Sequence, residues 1–124
     1  MRARIIEKLK KKDSKRHILY VAADELKTKK EIMQFYKEYV EYIKEKVPEI
    51  VKEARLTAIP VQIVLKNQGF NLTDEEWLRK NIVVVVNNDI GKVLTMISDK
   101  TKKRWNDIFL TEEGKTLMAE LQNN

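Results

Sequence analysis

The chain has 124 residues and a net charge of +6, with 43% hydrophobic residues, 35% charged residues, 3 Gly, 2 Pro and no Cys. This composition predicts one ordered globular domain over 1–124, large enough to bury a core without disulfides, and it excludes thiol nucleophiles and zinc sites built on thiolates. No run of about 18 apolar residues is present, and the longest apolar run near the N-terminus is Ile5 and Ile6, so neither a membrane span nor a signal-peptide core is expected and a soluble cytoplasmic protein is.

In chain order, residues 1–16 carry eight Lys or Arg against Glu7 and Asp13, which accounts for the whole net charge. Residues 2–12 predict a basic helix with Ile5, Ile6 and Leu9 on one side, or else a mobile arm. The apolar run Ile18 to Val21 suits a buried strand or a helix continuing through Leu26, and helix is preferred because Ala22, Ala23, Glu25 and Leu26 follow without a break. Thr28 and Glu31 have the spacing of a capping box, in which each side chain satisfies an orphan amide of the first turn. After it Ile32, Tyr36, Tyr39, Val40, Ile43 and Val47 recur at helical spacing, with Lys30, Lys37, Glu38, Glu41 and Lys44 elsewhere on the wheel. The aromatic residues of this helix are read as core or dimer packing rather than a stacking platform. Pro48 disfavours helical geometry at Val47, so a boundary or kink is expected there, with a second helix through Ile50, Val51 and Ala54.

Ile59 to Leu65 is another apolar run, closed by Gly69. Thr73 and Glu76 repeat the capping-box spacing, with Asp74 and Glu75 where the helix dipole favours acids, and a helix through Trp77, Leu78 and Arg79 follows. Ile82 to Val86 are β-branched and read as a strand unless a helix continues to about Asp89. From Gly91 the pattern predicts a β-hairpin: Lys92 to Ser98 out, Asp99 to Lys103 as a basic tip, Arg104 to Leu110 back. Thr111 then caps a helix with Glu112 and Glu113 in its first turn and Leu117, Met118 and Leu121 on its buried face.

The segment Gly91 to Leu121, about a quarter of the chain, resembles the wing and following helix of winged-helix regulators of the MarR and PadR type. The matching parts are Gly91, Val93 to Ser98, the tip Asp99 to Arg104, the return Ile108-Phe109-Leu110-Thr111, and Glu112 to Leu117. The resemblance implies an α+β, mostly helical, winged-helix-like fold with a C-terminal hairpin and closing helix. Its parts would be a basic helix or arm (1–16), a helical region (17–57) and a winged-helix region (58–124). The alternative is a set of helices packed on a three-stranded antiparallel meander over 82–110. The resemblance further implies a DNA-binding transcriptional regulator without cofactor or metal, dimerising through helical residues 14–56.

In that reading Lys100, Lys102, Lys103 and Arg104 reach DNA from the wing, with Arg104 entering a minor groove. Phosphate contact by the wing lysines gives affinity without sequence preference, and Arg79, Lys80, Arg2 and Arg4 are the further candidate DNA contacts. With one His, no Cys and no Gly-rich phosphate loop, a non-enzymatic role is expected. Two alternatives stand beside it. One is a protein-interaction module or inhibitor docking through the Tyr-rich helix. The other is a metal-dependent nuclease using Asp24 and Asp89, with Glu25 and Lys27 at acid-x-Lys spacing.

Overall fold

The computed structural model describes residues 4–56 and 74–123, and every element within them is an α-helix. In chain order these are α1 (Ile5–Lys12), α2 (Ile18–Glu25), α3 (Lys29–Leu56), α4 (Asp74–Lys80), α5 (Ile82–Thr95), α6 (Asp99–Phe109) and α7 (Glu112–Asn123). The long α3 is the axis of the assembly, in contact with α1, α4, α5, α6 and α7, while α5 also packs on α2, α4, α6 and α7.

The face of α3 predicted from its periodicity is the one that is buried. Ile32, Phe35, Tyr36, Tyr39, Val40, Ile43 and Val47 are enclosed by the chain itself. Phe35 stacks on Tyr39 at 5.6 Å and meets Trp105 edge-on at 6.1 Å, and Tyr36 lies 4.8 Å from Phe109, so the aromatic cluster ties α6 to α3. The capping box forms as expected: the Glu31 amide donates to Thr28 Oγ1 at 3.2 Å and the Thr28 amide to Glu31 Oε1 at 3.3 Å. The Thr28 hydroxyl also donates to Glu31 Oε1 at 2.8 Å, and this bond, with that from the Thr28 amide, lowers the Glu31 carboxyl from its ordinary value.

The start of α1 has no cap of its own, since its N-cap residue is Arg4, and α3 supplies one instead. Glu38, only 4% exposed, accepts from the Ile6 amide at 3.1 Å and from Gln34 Nε2 at 2.9 Å. A carboxylate held at the positive end of a helix satisfies an orphan amide and the dipole together.

The C-terminal half corrects the sequence reading. No strand occurs among the described residues, so the α+β class, the winged-helix-like region over 58–124, the hairpin Lys92 to Leu110 and the alternative meander over 82–110 are all overturned. Ile82 to Val86 open α5, which runs through Gly91 to Thr95, and the supposed hairpin tip is the first turn of α6. The cause is burial. Ile82, Val83, Val86, Ile90 and Leu94 share one buried helical face. Burying each contributes about 1.5–3 kcal/mol, against a helix-propensity cost of at most about 0.7 kcal/mol per β-branched residue. Val84, half exposed, carries that cost without the gain.

At Pro48 the helix does not end: α3 continues through it as one element, so the boundary and separate second helix considered there do not occur. Pro48 sits on the exposed side of the helix, with Val47 buried before it and Ile50 packed against the core after it. Helices stand where they were expected within 2–12 and 18–26, as Ile5–Lys12 and Ile18–Glu25, as does the one capped by Thr111, and Leu121 is buried with Leu117 and Met118 packed beside it. The run Ile59 to Leu65, Gly69 and Thr73 lie outside the described residues.

Candidate nucleic-acid interface

Helix α5 ends at Thr95, and its last amides close on carbonyls three residues back, Met96 to Val93 at 3.0 Å and Ile97 to Leu94 at 3.4 Å. Only Met96, Ile97 and Ser98 separate it from α6. Ser98 is extended, and its Oγ accepts the Thr101 amide at 3.2 Å, which satisfies one of the first-turn donors of α6. The turn is also tied to α2, where the Tyr20 hydroxyl donates to Met96 Sδ at 3.0 Å.

Thr101, Trp105 and Ile108 fall at helical spacing and form the buried side of α6, with Trp105 only 1% exposed. That seating turns Lys100, Lys103, Asn106 and Asp107 to solvent and leaves Lys102 and Arg104 half-buried at the margins. None of Lys100, Lys102, Lys103 and Arg104 is in an ion pair with a described residue. Arg104 Nη1 is enclosed without a hydrogen-bond acceptor. The four cations expected on a hairpin tip are therefore concentrated within one and a half turns of a rigid helix.

The further candidate contacts are dispersed. Arg79 and Lys80 are exposed at the end of α4, just before α5, whose 14 residues span about 21 Å, whereas Lys100 to Arg104 follow α5. Arg4 is engaged at the start of α1, donating to the Glu38 carbonyl at 3.4 Å, and Arg2 lies outside the described residues. Part of the N-terminal charge is met internally, through Lys12 with Glu25 at 2.6 Å and Arg16 with Asp24 at 2.8 Å. Those two acids, named for a nuclease, are thus ion-paired. Among the described residues no three His, Cys, Asp or Glu side chains gather to hold a metal ion.

Sequence reasoning missed Ser98 as a helix cap and Asn106 as an exposed amide on the same helix. The signal was there: Ile90, Leu94, Ile97, Thr101, Trp105 and Ile108 follow one another at three- and four-residue steps straight through the supposed hairpin. No described helix is long and apolar enough to cross a membrane. No protein-family model, curated protein or solved structure matches the chain.

Proposed function

We propose that the protein binds nucleic acid through α6, with Lys100, Lys102, Lys103 and Arg104 on phosphates. The observation that carries this reading is that four cations without acidic partners stand on one helix anchored in the core by Trp105. A rigid mount matters because it presents the charges together without ordering long loops first. The two helices α5 and α6, packed on each other across a three-residue turn, have the connection length of a helix-turn-helix, whose second helix enters the major groove. Asn106, exposed one turn beyond Lys102, has the donor and acceptor pair suited to an adenine edge.

The test is fluorescence anisotropy with a labelled duplex across salt concentration. Four phosphate contacts give a slope of log K against log salt near −3.6, so affinity falls on the order of 150-fold between 50 and 200 mM salt. In Lys100→Glu/Lys103→Glu the slope shrinks by about 2. Binding that ignores salt, or that survives this double change, refutes the reading.

A further inference from the structure

A second surface lies on the other side of α3. Lys30, Gln34 and Lys37 on the solvent side of that helix, with Met33 at the margin of the buried stripe, form the floor of an open groove of about 1060 Å³, walled by α1 and α7. Each of the three helices contributes one half-buried apolar side chain to it: Ile5 from α1, Met33 from α3 and Leu117 from α7. Around these, Lys8, Lys30 and Lys37 are exposed and none is in an ion pair with a described residue.

The acids of the groove are already committed. Glu38 caps α1, Glu31 serves the capping box with Thr28, and Glu113 pairs with Lys29 at 2.6 Å. What remains for a partner is an apolar strip edged by three unmatched positive charges. We infer that this groove docks an acidic amphipathic helix of another protein, its apolar stripe on Ile5, Met33 and Leu117 and its carboxylates facing Lys8, Lys30 and Lys37. Charge complementarity selects the sign of the partner, and the apolar strip selects a helix over a polynucleotide. A phosphate backbone would leave Met33 and Leu117 uncovered. The inference does not rest on the nucleic-acid reading of α6, from which it differs in both surface and partner.

It is tested on the full chain by anisotropy of a labelled synthetic peptide of about 18 residues, long enough to be helical, with Leu along one face and Glu elsewhere. Saturable binding is expected. Lys30→Glu/Lys37→Glu should weaken it by about tenfold or more and Met33→Gln by several-fold, while a peptide with Lys in place of Glu should not bind. Because Lys30 and Lys37 are exposed, the double change should leave the circular dichroism and thermal midpoint unaltered. Lys100→Glu/Lys103→Glu should leave peptide binding intact, which separates failure here from failure of the nucleic-acid reading. The inference is overturned if the wild-type chain does not bind the peptide or if charge reversal leaves binding unchanged. It is equally overturned if duplex DNA displaces the peptide, or if the same changes abolish self-association of the chain instead.

Discussion

The two described helical glycines should respond to alanine with opposite signs. Gly91 is exposed in α5, and a Cβ built there meets nothing within 4 Å. Gly91→Ala should therefore deliver the ordinary helix-propensity gain of about 0.8–1 kcal/mol. Gly114 is buried at the elbow between α6 and α7, where a Cβ would stand 2.5 Å from the Ile108 carbonyl oxygen and 2.9 Å from Phe109 Cα. Both atoms are backbone, so no side chain can swing aside. Reaching ordinary contact near 3.4 Å requires the two helices to part by about 0.9 Å.

The movement would strain a packed junction. The Ile108 oxygen already accepts from the Thr111 amide at 3.2 Å and from Thr111 Oγ1 at 2.6 Å, and that hydroxyl oxygen accepts the Gly114 amide at 3.1 Å. Overpacking of this kind costs about 1–3 kcal/mol, and disturbing the Thr111 cap adds about 1 kcal/mol. Set against the propensity gain, the net loss for Gly114→Ala should be about 1–3 kcal/mol. Urea unfolding followed by circular dichroism measures both variants, and each kcal/mol should move the thermal midpoint by roughly 3–6 °C for a chain of this length. If Gly114→Ala is neutral or stabilising, the close approach of α7 to the end of α6 is wrong. If Gly91→Ala destabilises, so is the helical reading of that position.

Glu38→Ala should cost about 1–3 kcal/mol by leaving the buried Ile6 amide unpaired, and the loss should appear locally as faster hydrogen exchange in α1. Glu38→Gln, which keeps an acceptor and removes only the charge, should lose about 0.3–1 kcal/mol. Burial pushes the Tyr36 phenol up to about 12 from its ordinary 10.0, although the hydrogen bond to Asn87 pulls the other way. The unfolded chain then releases this proton first, so the stability contributed is whole below pH 10 and is lost as pH rises towards 12. Burial also raises Tyr39, with the negative charge of Asp89 adding to it, so Tyr36→Phe should make the alkaline decline shallower without removing it. At neutral pH the same change should cost about 0.5–1.5 kcal/mol for the lost bond to Asn87 Oδ1, which is 2.6 Å long.

The correct and incorrect expectations divide along a physical line. The capping box at Thr28, the cap at Thr111 and the stripe from Ile32 to Val47 were legible because each depends on residues within one or two turns of one another. The basic cluster Lys100 to Arg104 was likewise legible as charge. Its mounting was not. A valine run followed by Asn, Asp and Gly has the local preferences of a strand and a turn, and a basic stretch after Ser98 has those of a hairpin tip. Those preferences are worth tenths of a kcal/mol per residue, whereas burying Val83, Val86, Ile90, Leu94, Trp105 and Ile108 against α3 and its neighbours is worth several times more. Arg4 shows the same limit on a smaller scale, since its engagement at the start of α1 depends on Glu38, thirty-four residues away.

By itself, then, the amino-acid order determined the helix starts at Thr28 and Thr111, the buried stripe of α3 and where the positive charge lies along the chain, since all of these are written in short-range spacing. Only the tertiary structure decided that residues 82–110 are helical, that their four cations stand together on α6, and that a groove with three unmatched lysines opens across α3. Each of those depends on which apolar surfaces meet, and burial of large side chains outweighs the local preferences that sequence spacing records.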